Sequence, residues 1–230
     1  MRRIRAMNSK SVCFAALVVL IPAMSRAQGG GGAAGQGAGA SPRLPAGVEV
    51  VVNRLADSAR ARGLPSDPLF AKAAEGALKG ADSTRIVDAV RRLLGELEVV
   101  RGTLGTCAGN AELAAAASAL HAGVTPAQLA RVAQKCGERG GPSSAKPDRL
   151  VMPLVVLADL VARRVSADVA VSSLETLLSR SAPDAEFASL RTAIERDIAS
   201  GASPDAAMRA RSAAVARSLD GRTGGRPPQE

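Results

Sequence analysis

The sequence predicts an all-α fold of about nine helices in degenerate antiparallel hairpins, forming a bundle or short solenoid. Three observations carry that prediction. Helix-ending corners recur along the chain, apolar residues between them step by three and four, and the composition is aliphatic with almost no aromatics. Apolar residues make up 47% of the chain, yet Trp and Tyr are absent and there are three Phe. A core drawn from Leu, Val, Ile, Met and Ala favours helices over sheets.

The N-terminus reads as an export signal. Arg2, Arg3, Arg5 and Lys10 form a basic leader, an apolar stretch runs from about Val12 to Met24, and Ser25-Arg26-Ala27 supplies a small-x-small cleavage pattern. The expected signal peptide is therefore residues 1–27, with cleavage before Gln28. Pro22 interrupts the apolar stretch, which falls short of the roughly 20 residues that a membrane-spanning helix needs. Cys13 follows Lys10-Ser11-Val12 and lacks a small-residue box, so a lipid anchor there is not expected. The expected localisation is exported, periplasmic or extracellular.

Residues 28–45 are Gly- and Ala-rich with no apolar periodicity, and are expected to be a flexible linker. Residues 46–220 form the expected helical domain, and residues 221–230, with Gly224, Gly225, Pro227 and Pro228, the expected disordered tail.

Within the domain, a Gly or Arg is followed by an apolar residue and then by Ser, Thr, Asp or Pro. The corners are Gly63-Leu64-Pro65, Gly80-Ala81-Asp82, Gly123-Val124-Thr125, Arg164-Val165-Ser166 and Gly201-Ala202-Ser203. The first residue takes the left-handed conformation that ends a helix, the second packs, and the third caps the next helix. Pro126 and Pro204 stand at first helical positions, where the missing N–H costs nothing. Ile86, Val90, Leu93, Leu94, Leu97, Val100 and Leu104 show the helical step, as do Phe187, Leu190, Ile194 and Ile198. The expected helices are 47–62, 66–79, 83–104, 110–122, 126–138, 150–163, 167–180, 184–200 and 204–219. Corners at Gly123, Arg164 and Gly201 repeat at about 40 residues, the length of a two-helix unit. Two places compete with this reading: the Val-rich start at Gly47–Val52 could be a strand, and Pro153 must either begin or kink its helix. The run from Leu150 to Ala162 contains Asp159 and is about two-thirds of a membrane span, so it reads as a buried helix.

The segment from Gly63 through Gly105, punctuated by Pro65, Lys72, Glu75, Gly76, Lys79 and Gly80, and the corner Gly123-Val124-Thr125-Pro126 resemble uncharacterised secreted helical proteins of Gram-negative bacteria. The likeness covers most of residues 60–218. Its motifs are helix corners, so it implies a fold and an exported location and brings no activity.

Charge excludes one class of partner. Five bases and no acid leave with the signal peptide, so 25 Lys and Arg face 21 Asp and Glu, a net of +4. That is too mild for a nucleic-acid binder, and Phe70 and Phe187 alone cannot build stacking platforms. Nucleic acid is not an expected partner, and no membrane span is expected after cleavage. No phosphate loop, dinucleotide fingerprint or calcium loop occurs, so no cofactor is expected.

Cys107 and Cys136 are the only cysteines left in the exported protein. An oxidising compartment makes a structural disulfide the leading expectation, with separate thiols as the alternative. The geometric argument is that α-helical segments 110–122 and 126–138 have equal length, so an antiparallel turn would return Cys136 toward Cys107. His121, the only histidine, is expected to sit against its own helix C-terminus. One His and two Cys are too few for zinc, and no Gly-x-Ser-x-Gly turn supports a Ser-His-Asp triad. Lys72, Glu75 and Lys79 share a helical face, and Asp88, Arg92 and Glu96 make a ladder on the next helix, spacings expected of surface ion pairs. Mid-helix Gly76 is expected to mark a close helix crossing. No catalytic, cofactor-binding or metal-binding set emerges. A non-catalytic binding or scaffold module, with another envelope protein or a cell-wall component as partner, is the first expectation. An apolar-ligand carrier and a hydrolase using Glu75, Asp88 or Asp159 are the alternatives.

Overall fold

A computed structural model describes residues 44–138 and 148–223. The expected signal peptide, the linker up to residue 43 and the last seven residues of the tail lie outside the described residues. Among the described residues there are nine helices and no strand: α1 (Ala46–Ala61), α2 (Asp67–Leu78), α3 (Ser83–Leu104), α4 (Asn110–Ala122), α5 (Pro126–Glu138), α6 (Val151–Ala162), α7 (Ala167–Ser179), α8 (Asp184–Ala199) and α9 (Pro204–Thr223). The all-helical expectation holds. The Val-rich start is helix, because Val48, Val52, Ala56 and Ala59 form one buried stripe of α1. Pro153 begins its helix: it falls in the first turn of α6, where its missing N–H has no intrahelical partner to lose. The helix bounds match expectation to within one residue except at the end of α9, which runs three residues into the segment read as tail.

One backbone motif closes six of the helices. At Gly63 the N–H bonds Arg60 O while the next N–H, of Leu64, reaches back to Ala59 O. The same pair of bonds recurs at Gly80 and Ala81, Gly123 and Val124, Arg164 and Val165, Ser181 and Ala182, and Gly201 and Ala202. This is the Schellman arrangement, and its first residue has positive φ in every case. Arg164 (φ 70°) and Ser181 (φ 58°) adopt it without being glycine. At four of the six corners the second residue turns inward: Leu64, Val124, Val165 and Ala182 are buried.

The third residue starts the next helix in different ways. Asp82 accepts the N–H of Arg85 at 2.9 Å, and Thr125 and Gln128 bond each other's backbone N–H reciprocally. Ser166 departs from the expected capping role. Its N–H and hydroxyl both donate to Asp205 of α9, at 2.7 and 2.9 Å, so α7 is tied to a helix two elements later.

That tie belongs to the packing scheme. The odd-numbered helices stack in one row, α1 on α3, α3 on α5, α5 on α7 and α7 on α9. A second row has α4 on α6 and α6 on α8, with α4 against α6 the most extensive interface of the fold. Stacking of each helix on the next but one is the pattern of a two-row helical solenoid. Polar links across the odd row keep the repeat: Gln128 to Asp168, Arg131 to Glu175 and Arg180 to Asp220 span 40, 44 and 40 residues. The core between the rows is continuous and aliphatic, with Phe187 its largest fully buried side chain.

The loop from α3 to α4 is held by Arg101, whose guanidinium donates to the carbonyls of Gly105, Thr106, Ala108 and Gly63. Glu112, buried in the first turn of α4, accepts the N–H of Gly109 at 3.0 Å and that of Leu150 at 3.2 Å. It thereby joins the starts of α4 and α6.

No disulfide links Cys107 and Cys136, contrary to the sequence expectation. The assumed geometry was a hairpin of α4 and α5, but these two helices belong to different rows and do not pack closely along their length. Cys107 is exposed in the loop before α4, whereas Cys136 is buried with its thiol 3.8 Å from the carbonyl oxygen of Arg149, at the entry to α6. No helix among the described residues is long and apolar enough to cross a membrane.

Candidate functional site

The second row has a gap. Helix α2 packs on α1 and α3 but not closely on α4, so α3 forms the floor of a groove walled by α2 and α4. The approach of α2 to α3 is set by Gly76. A Cβ built there would lie 2.9 Å from Cγ1 of Ile86, closer than side chains approach one another, so only glycine permits this crossing. Gly76 thus has the role its mid-helix position predicts.

The groove has a volume of about 530 Å³ and opens to solvent along one side. Ala71, Ala89, Leu93 and Ala114 supply an apolar bed, and polar side chains line it from all three helices: Lys72 and Glu75 on α2, Arg92 and Glu96 on α3, Ser118 and His121 on α4. Clefts of this size, apolar with a few convergent polar groups, are the usual form of binding sites.

Glu75 is committed to its own helix. Lys72 donates to it at 3.0 Å and Lys79 from the next turn, and these contacts, that of Lys79 foremost, hold its carboxyl below the usual carboxylate range. The expected ion-pair face Lys72–Glu75–Lys79 is therefore present. The expected ladder Asp88–Arg92–Glu96 is not. Asp88 pairs with Arg91, and Glu96 faces α4, where its Oε1 lies 3.1 Å from His121 Nδ1. His121 sits in the last turn of α4, as expected, and its ring also engages the neighbouring helix α3. A carboxylate can only accept, so Nδ1–H is the donor of this bond. Ser118 lies one turn before His121, and its hydroxyl donates to Ala114 O.

No hydrolase constellation assembles from the carboxylates named by sequence. Glu75 lines the groove described above, Asp88 lies in a separate shallow cleft with Pro45 and Arg91, and Asp159 pairs with Arg191 at 2.8 Å in neither cleft. Among the described residues no group of three or more His, Cys, Asp or Glu is placed to hold a metal ion. Sequence reasoning missed the Glu96–His121 contact and the groove itself. Both depend on how α3 and α4 cross, and the 25 residues between the two side chains carry no signal of it. No protein-family model matches this chain, and no curated protein and no solved structure matches it either.

Proposed function

We propose that this chain is an exported, non-catalytic helical module that holds a partner, an envelope protein or a cell-wall component, in the groove between α2 and α4. The expected signal peptide and the resemblance to secreted helical proteins belong to the same proposal. The observation that supports it is the break in the second row, where an apolar bed rimmed by six polar side chains is left open to solvent. The open side favours a protein-sized occupant over an enclosed apolar ligand. The ion-paired state of Glu75, Asp88 and Asp159 gives the hydrolase reading little to stand on.

Affinity capture from a cell-envelope extract tests the proposal. The mature protein is expected to retain one or more components that the Ala89→Arg variant, with its groove floor blocked, does not. Ser118→Trp, an exposed position on the opposite wall, provides a second block that leaves the core untouched. Equal retention by wild type and both variants, with helicity unchanged, would contradict it.

A further inference from the structure

The charges around the groove are unequally committed, and their arrangement names the chemistry of the occupant. Lys72 and Lys79 share Glu75, and Glu96 is hydrogen-bonded to the His121 ring across the α3–α4 crossing. Arg92 is the exception: it lines the groove, is exposed, and has neither an ion pair nor a hydrogen bond among the described residues. On the same helix Ala89 and Leu93 are half-buried and line the same groove.

We propose that the groove receives an acidic residue flanked by apolar ones on a partner protein, with the Arg92 guanidinium taking the carboxylate and Ala89 and Leu93 the neighbouring side chains. The inference rests on the groove reading above and adds to it the identity of the anchor. A guanidinium presents two parallel N–H donors that match a carboxylate, and a charge-assisted pair of this kind is about twice as strong as a neutral hydrogen bond. The pair gains further when a partner's surface removes water from it, as at the covered centre of an interface. An anionic amphiphile offers the same head-group chemistry. In a groove open along one side, however, part of its apolar body stays in water, while a folded partner closes that side with its own surface.

The test is selection of random 12-residue peptides displayed on phage against the immobilised mature protein, with Ser118→Trp, which blocks the groove without adding charge, as the counter-selecting surface. Peptides retained by wild type alone are expected to share an Asp or Glu between apolar residues. Their synthetic versions are expected to lose about tenfold or more in affinity to Arg92→Glu, and to lose a similar amount when the acid becomes its amide. Groove-dependent peptides that carry no acid and bind Arg92→Glu equally well would overturn the acidic anchor while leaving the groove reading intact. Failure to select any peptide sensitive to Ser118→Trp would overturn the acidic anchor, while the groove reading stands or falls on the envelope capture above. Saturable binding of oleate that Arg92→Glu abolishes, with no peptide selected, would assign the same cation to an amphiphile and overturn the protein partner.

Discussion

Asp205 accepts both the backbone N–H and the hydroxyl of Ser166, so the second residue of α9 closes the start of α7. A carboxylate holding an N–H and an O–H stays ionised to lower pH, and the Asp205 carboxyl is held below its usual value by these two bonds, the backbone one first. Asp197 is lowered likewise by the guanidinium of Arg211, which meets it with two bonds of 2.6 Å, and Glu75 by Lys79 and Lys72. Groups with depressed folded-state values stabilise the fold above their unfolded value, near pH 4, and lose that contribution as pH falls through the folded value. The melting temperature is therefore expected to be insensitive to these groups between pH 7 and 5 and to fall below about pH 4. Asp205→Asn should lower it at pH 7 and flatten the acid-side fall. Melting curves of both proteins across pH 3–7 check this, and an unchanged acid-side slope would contradict the assigned role.

Gly76 and the glycines of α3 should respond in opposite directions to alanine. Ala normally gains up to about 1 kcal/mol over Gly inside a helix. At Gly95 and Gly102 a new Cβ meets nothing within 4 Å, so each substitution should stabilise by about 0.5–1 kcal/mol. At Gly76 the Cβ meets buried Ile86 at 2.9 Å, and overpacking of about 1–3 kcal/mol outweighs the propensity gain. Urea unfolding of the three variants should show one loss and two gains.

Arg164 and Ser181 occupy corner positions that glycine fills elsewhere, with φ of 70° and 58°. A left-handed residue with a Cβ costs roughly 1 kcal/mol. Arg164→Gly and Ser181→Gly should therefore raise stability by up to that amount, partly offset by the freer unfolded chain. Gly123→Ala should lower it. Both corners are exposed at these side chains, so no lost contact confuses the comparison.

Those corners also mark what sequence could and could not reveal. Helix ends were legible wherever Gly, a packing residue and a capping residue stood together, since the motif is local and its physics is complete within a few residues. Arg164-Val165-Ser166 is readable by its neighbours; at Ser181-Ala182-Pro183 the break between helices is legible but its left-handed residue is not, because serine does not announce one. Ion pairs within one helix fared unevenly for a related reason. Lys72, Glu75 and Lys79 have no competing partner, but Glu96 has His121 across the α3–α4 crossing. The expected cysteine bridge failed at the same level, because equal helix lengths imply proximity only if α4 and α5 pack together. Row membership is decided by tertiary packing, and so is the groove between α2 and α4.

The two cysteines should differ sharply in reactivity. Cys107 is exposed, so it should react with a thiol reagent in the native protein, while buried Cys136 should react only on unfolding. Mass spectrometry after native and denatured alkylation should give one and then two modified thiols. No modification in either state would indicate a bond between them and would contradict the arrangement described.

The central claim is that the gap in the second helix row is where a partner sits. A photo-crosslinking amino acid placed at Ser118, on the groove wall, reports it in the cell, with Arg217 on the outer face of α9 as control. Irradiation is expected to trap a discrete adduct from position 118 that is absent from position 217 and is lost when Ala89→Arg fills the groove. Adducts of equal yield from both positions, or an adduct at 118 that persists with the groove filled, would contradict the account.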